Sequence, residues 1–288
     1  MTRALIIGAD GTIGRAVVEA LTVRGDTVIG TTRRASSVGA GERIQLNLAD
    51  PDVSKSPLPP CDVAIICAAM TRFADCREKP DLAHAVNVTA PVELARRIVE
   101  EGGHVVLLST SAVFDCRTPR MPADAPTAPT AAYGRQKAEA EAAVLALAPR
   151  ASVLRLTKVL TIENPLIRGW IDALRAGCQV EAFSDLTISP LRVSDVTAAL
   201  TAVVDDRGGG IYQASGASDV SYADIARHLA RRLGVDPLLV RETLATAHGI
   251  PEGEVARFTS LDTSRLNAVA AWTPPAVEMV LDEVFCGP

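Results

Sequence analysis

The sequence predicts an α/β protein, a doubly wound parallel sheet with a smaller C-terminal α/β lobe, and three observations carry that prediction. Short apolar runs of strand length alternate with segments of helical apolar period through residues 1–160. The first such unit, Thr2 to Arg34, sets Gly8, Gly11 and Gly14 between a strand and a helix. The run Val63 to Cys67 is apolar without a break, as expected of a central parallel strand covered on both faces. A chain of 288 residues accommodates a Rossmann-type domain over residues 1–160, with 161–288 forming mainly a second lobe, some of whose elements return to the sheet.

Taken in order, Ala4 to Ile7 forms the first strand and Ile13, Val17, Val18 and Leu21 mark the buried stripe of the first helix. Gly25-Asp26 turns the chain into a second strand, Thr27 to Thr32, which completes a βαβ crossover. Gly8 permits the tight turn, Gly11 lets the backbone approach a pyrophosphate, and Gly14 lets helix and sheet pack closely. The helix start, around Thr12 and Ile13, adds unpaired N–H groups and a positive dipole end, so the unit reads as a dinucleotide site. The second strand ends Thr31-Thr32-Arg33-Arg34. It carries no carboxylate for a ribose hydroxyl and offers two guanidinium groups for a phosphate, so NADP(H) is expected over NAD(H). The alternative is that Arg33 and Arg34 lie on a solvated loop.

A Gly/Ser-rich turn, Ser36 to Gly41, leads to a third strand, Glu42 to Leu48, which closes on Asn47-Leu48-Ala49-Asp50. Asp50 precedes Pro51 and suits the start of a turn. After a proline-rich connector, the central strand ends in Cys67-Ala68-Ala69, small residues that let a ligand lie against the backbone at the carboxyl end of the sheet. A long helix from Asp81 to Glu101 carries Asn87. A strand from His104 to Leu108 opens into Ser109-Thr110-Ser111-Ala112-Val113-Phe114-Asp115. The Pro/Ala/Thr-rich loop Thr118 to Thr130 is either a lid or a plain connector, and the helix Ala131 to Leu147 follows.

Tyr133 and Lys137 stand four apart at the start of that helix, on one face. A lysine ammonium close to a phenol favours the phenolate and is expected to lower the tyrosine pKa, which suits Tyr133 to exchange a proton with a carbonyl oxygen. With the glycine turn and the Ser/Thr cluster, this pair resembles the Ser/Thr-Tyr-Lys arrangement of the extended short-chain dehydrogenases/reductases. Across its whole length the chain is most similar to the dTDP-4-dehydrorhamnose reductase-like subfamily: Ser109 to Asp115 resembles its S-T-x-x-V-F-D segment and Ser189 to Val196 its S-P-x-x-V-x-D segment.

The resemblance implies catalytic roles for Thr110, Tyr133 and Lys137, with Thr110 orienting the substrate carbonyl and Lys137 also bonding the nicotinamide ribose. It implies a cofactor lining drawn from Gly8, Gly11, Thr12, Ile13, Gly14, Thr32, Arg33, Arg34, Asn47, Leu48, Cys67, Ala68, Ala69 and Asn87, with Asp50 either facing the adenine or only starting a turn. It also implies a C-terminal substrate lobe, here a helix from Pro165 to Gly177, another from Ser194, a strand at Gly210 to Gln213, and a capped helix Ile225 to Leu233 after Ser221 and Asp224. Related epimerases carry an arginine where this chain has Ile188, which weakens an epimerase reading. Arg168, Arg175 and Arg192 either bind an anionic substrate or lie on the surface.

The expected function is NADP(H)-dependent reduction of a carbonyl, in the nearest case the keto group of a nucleotide-linked sugar. A nucleotide-sugar epimerase or dehydratase and a non-catalytic cofactor-binding regulatory subunit are the alternatives. A homodimer through the helices Asp81 to Glu101 and Ala131 to Leu147 is expected from the same resemblance.

Composition narrows the field further. Net charge is −5 and aromatics are 3% of residues, with no basic tract, so no nucleic-acid partner is expected. No apolar run approaches the roughly 20 residues that span a bilayer. A strand that begins almost at once leaves no room for a signal peptide, so the expected location is cytoplasmic. Six cysteines and four histidines are scattered without ligand spacing, and no metal or disulfide framework is expected.

Overall fold

In the computed structural model, which describes residues 1–34 and 42–285, the alternating runs become a layered α/β structure. The turn expected at Ser36 to Gly41 lies outside the described residues, as does Cys286. The first unit is strand β1 (Arg3–Ile7), helix α1 (Thr12–Val23) and strand β2 (Thr27–Thr32), after which β3 (Glu42–Gln45) pairs with β2 and stops short of the expected Leu48. The central strand β4 (Val63–Ile66) pairs with β1 on the opposite side from β2. A short helix not expected from the sequence, α2 (Phe73–Glu78), precedes α3 (Pro80–His84) and α4 (Ala90–Glu100).

The stretch between α3 and α4, Ala85–Thr89, is a π-helical turn, so the expected helix forms with a wide turn inside it. Pro91 has no N–H to give to the carbonyl of Asn87, four residues back, and widening the turn relieves that position.

Strand β5 (His104–Thr110), helix α5 (Ala132–Leu145) and strand β6 (Ala151–Leu156) complete the first half. The two-residue β7 (Lys158–Val159) then leads through α6 (Pro165–Arg175), β8 (Val180–Phe183), β9 (Thr187–Ile188) and β10 (Pro190–Leu191). Helix α7 (Val193–Asp206) and strand β11 (Gly210–Ala214) return to the main sheet, while β12 (Val220–Ser221), α8 (Tyr222–Arg232) and β13 (Val240–Thr243) go back to the lobe. Helices α9 (Ser264–Ala270) and α10 (Val277–Phe285) end the described chain, α9 against the sheet side and α10 against α8. Half of the expected cap forms: Ser221 Oγ accepts the Asp224 N–H at 3.0 Å and donates to the Asp224 carboxylate at 2.6 Å, and the helix starts at Tyr222 rather than Ile225.

The main sheet runs β11-β6-β5-β4-β1-β2-β3, every neighbouring pair parallel. The order reverses between β1 and β4, and such a reversal opens a crevice at the carboxyl ends of the two strands. Alternation along β1 divides the core: Ala4 and Ile6 pack with α1 and α7, and Leu5 and Ile7 with α4 and α5. A third apolar cluster holds the lobe, joining α6, α8 and α10 to the β8–β13 pair through Trp170, Leu174, Ile225, Leu229 and Leu281. Each fully buried Leu or Ile of this kind contributes about 1.5–3 kcal/mol.

One buried ion pair ties several segments together behind the site. Arg155 on β6 donates to Glu141 of α5 at 2.7 Å, to the Ala123 carbonyl at 3.0 Å and to Gln213 of β11 at 3.3 Å, and lies 4.9 Å from the centre of the Phe114 ring. Through Ala123 it anchors the loop Thr118 to Thr130. That loop is fastened further by Met121 N–H to the Ser260 carbonyl, Gln213 to the Met121 carbonyl, and Thr130 to the Gly253 carbonyl. It is a tethered connector in this structure, and its end at Thr130 forms part of a cavity wall. Among the described residues no helix is long and apolar enough to cross a membrane, and no cluster of His, Cys, Asp or Glu is set to hold a metal.

Candidate active site

Two cavities meet the carboxyl edge of the sheet. The first, about 450 Å³, lies over the crevice and is lined by Gly8, Gly11, Thr32, Arg33, Arg34, Asn47, Leu48, Cys67, Ala68 and Ala69. Its floor depends on missing side chains. Gly8 has φ +93°, and a Cβ there would lie 2.8 Å from the Ala68 backbone; a Cβ on Gly14 would lie 2.2 Å from the Gly8 carbonyl. Gly11 is different, since its Cβ would meet only the Gly8 carbonyl at 3.5 Å, and so the turn stays open at this residue. Gly11 is also the N-cap of α1, with no side chain covering the helix's free N–H groups. These residues fit a dinucleotide: a bare, glycine-floored turn, a helix N-terminus and two exposed arginines at the rim.

Several expected cofactor residues lie elsewhere. Ile13 lines the second cavity, Thr12 and Gly14 start α1 without lining the first, and Asn87 lines neither. Asn87 is fully buried, and its amide accepts the Met70 N–H at 2.7 Å and donates to the Met70 carbonyl at 2.9 Å and to Gln136 at 2.8 Å, so it pins the backbone beneath the first cavity. Asp50 takes its turn alternative, accepting the Asp52 N–H at 2.9 Å.

A carboxylate absent from the end of β2 arrives from the glycine turn. Asp10 accepts a hydrogen bond from Thr32 Oγ1 and pairs with Arg43 at 2.8 Å. The strand register sets Arg43 opposite Gly30, where a Cβ would lie 2.7 Å from the Ala9 side chain and 3.5 Å from that of Arg43. The Asp10 position was readable within the glycine segment, whereas the register that brings Arg43 to it was not.

The second cavity, about 630 Å³, lies between the sheet edge and the lobe, and Thr110 and Tyr133 both line it. β5 delivers Thr110 at its last residue, where the side-chain oxygen accepts the Ala112 N–H at 3.1 Å and so caps a short turn; its own proton stays available. α5 brings Tyr133 alongside because its third residue, Gly134, allows contact: a Cβ there would lie 2.0 Å from the Ala112 carbonyl. Phe73 of α2 packs on the phenol, ring centres 5.7 Å apart.

Lys137, one turn further along α5 and 2% exposed, sits behind this wall, close enough to Cys67 and Glu141 to interact electrostatically. Burial pushes its pKa down to about 8, against the opposing pull of Glu141 and Cys67. The same ammonium interacts with Cys67, whose thiol burial pushes up to about 12.

The expected lowering of the Tyr133 pKa is not what the structure gives. The phenol is 8% exposed, and burial raises its pKa well above the ordinary tyrosine value, with Cys76 adding to the rise. Desolvation sets the direction, since the phenolate would be the charged form in an apolar setting with Phe73 and Ala83, and Lys137 is not among the groups that shift the phenol. Such a phenol keeps its proton and is a donor.

Of the three arginines considered for anion binding, Arg168 and Arg175 are exposed outside both cavities, and Arg192 is engaged by Asp195 at 2.6 Å and by Glu283. Residues that sequence reasoning passed over, Phe73, Thr157 and Lys158, belong to the second cavity and come from segments without a readable periodicity.

Known proteins resemble this chain over its length. The family model described as RmlD substrate binding domain matches residues 2–285. The dTDP-4-dehydrorhamnose reductase of Mycolicibacterium smegmatis is 32% identical over 280 residues, 94% of this chain and 81% of that protein. The protein of the same description from Mycobacterium tuberculosis strain H37Rv is 30% identical, over 94% of this chain and 88% of that one. Among solved structures, the dTDP-4-dehydrorhamnose reductase of Bacillus anthracis in complex with NADP superposes with a TM-score of 0.83 over 99% of each chain at 18% identity, a likeness of fold.

Proposed function

The chain belongs to the extended short-chain dehydrogenases/reductases, in the group related to dTDP-4-dehydrorhamnose reductase, and from that membership we propose that it reduces the keto group of a nucleotide-linked sugar. The observation that carries this reading is the placement of Thr110 and Tyr133 on the wall of one cavity, beside a second whose glycine floor fits a dinucleotide. When bound, the reduced nicotinamide supplies the hydride. Thr110 donates its free O–H to the substrate carbonyl oxygen and fixes its orientation. Tyr133, whose proton burial retains, gives that proton to the same oxygen as negative charge develops on it. Lys137, buried and lining neither cavity, places a positive charge behind the pair. Arg33 and Arg34, exposed at the rim, receive the phosphate that distinguishes NADP(H) from NAD(H), while Asp10 is already engaged by Arg43 and Thr32.

The test is turnover of dTDP-4-dehydrorhamnose and related keto-sugar nucleotides with NADPH and with NADH. The expected result is NADPH oxidation that Tyr133→Phe slows by about a hundredfold or more, with Arg33→Ala narrowing the NADPH preference. Binding of NADPH without turnover of any keto-sugar would overturn the reading.

A further inference from the structure

One wall of the larger cavity holds groups that this reaction leaves unused. β6 ends at Leu156, the register partner of Thr110. The next two residues, Thr157 and Lys158, continue along the same cavity wall. Lys158 thus stands two residues beyond the level of Thr110, about 6–7 Å of extended chain, which is within the reach of a single sugar ring held at Thr110.

The Lys158 side chain is exposed, but into the cavity: protein atoms around it desolvate the ammonium and push its pKa down. Among the described residues it has no hydrogen bond and no ion pair. Other charged groups on the lining are engaged, Arg77 with Glu254 at 2.6 Å and Asp115 with the Arg117 N–H at 3.1 Å. Two hydroxyls on the same lining, Ser109 Oγ and Thr157 Oγ1, are buried without a hydrogen-bond partner among the described residues, and their residues are 6% and 5% exposed. Each unmet hydroxyl is unfavourable, and a desolvated cation without a counter-charge more so. Three donors left unmet on one wall are the complement of an anionic oxygen.

We propose that Lys158, supported by Ser109 and Thr157, is a specificity-determining residue that binds an anionic oxygen of the substrate, either a carboxylate on the sugar ring or the phosphoryl group attached to it. This rests on the nucleotide-sugar reading of the same site. A lysine suits the role because it presents a compact point charge on a flexible stem, able to follow either anion.

The experiment titrates the NADP-loaded protein and its Lys158→Met variant with dTDP, dTDP-glucose and dTDP-glucuronic acid by calorimetry. Methionine keeps the length of the stem and removes the charge. If the phosphoryl group is the ligand, the variant binds all three more weakly, by roughly tenfold or more. If the ring carboxylate is the ligand, only dTDP-glucuronic acid loses affinity to that extent.

A second measurement needs no variant: labelling of Lys158 by trinitrobenzenesulfonate, mapped by peptide mass, should slow with added glucuronate or inorganic phosphate and not with glucose. Equal binding by both proteins, or labelling indifferent to those anions, overturns the proposal. Failure of the unaltered protein to bind any of the three nucleotides overturns the nucleotide-sugar reading instead, and the labelling result then decides for or against an anion site at Lys158.

Discussion

At the scale of single residues, the Tyr133–Lys137 pair shows what spacing conveys and what it omits. Four residues on a helix place both groups on one face, and that much was legible. The sign of the phenol's shift was not, because burial by Phe73 and the surrounding turn is a tertiary property. Burial instead holds the proton on Tyr133 and loosens the one on Lys137, whose pKa falls to about 8. The protonated ammonium is therefore present below that pH and lost as pH rises through it. The kcat/KM for reduction, which reports the free enzyme, should fall above about pH 8. Lys137→Arg, charged throughout the assay range, should abolish that limb of the profile even where it lowers the plateau. A limb unchanged in the variant would assign it to another group.

At the scale of elements, the decisive contact is between α5 and the turn after β5. Gly134 is the point of closest approach, and its importance could not be read from the sequence, where it is one glycine among 20. An alanine there would put its methyl 2.0 Å from the Ala112 carbonyl, so the helix or the turn must move. Tyr133 precedes Gly134 and Thr110 opens the turn, so the two would separate. Gly134→Ala should lower kcat by about a hundredfold for a shift near 1 Å, along with a lower thermal midpoint, whereas the exposed Gly169→Ala, inside α6 with open space around it, should leave kcat unchanged and raise the midpoint slightly. The strands and long helices of the first half were legible because their apolar periods are unbroken. The π turn before Pro91 and the short α2 were not, since neither spans enough residues to show a period.

For the whole molecule, the parallel sheet and its crevice followed from the alternation of elements. The lobe was legible only in outline: β9, β10 and β12 are two residues long, and their pairing is set by contacts far apart in sequence. What joins the parts is the buried pair of Arg155 and Glu141. Arg155→Met would take from the Glu141 carboxylate its hydrogen-bonded counter-charge, leaving only the nearby Lys137, and would release the Ala123 carbonyl and Gln213. Unfolding in urea should show a loss of about 3–5 kcal/mol, and a loss below 1 kcal/mol would mean that water or another group takes over the role.

That pair also separates two jobs that many binding proteins mix. Stability is anchored in the interior, while recognition is spelled out at the tips of segments such as Thr157–Val159, Leu186–Ile188 and Gly249–Ala256, which face the cavity. Where a side chain at those tips takes no part in the frame, as at Lys158, its letter is open to exchange, and new substrate preferences are accessible to this scaffold by rewriting such positions.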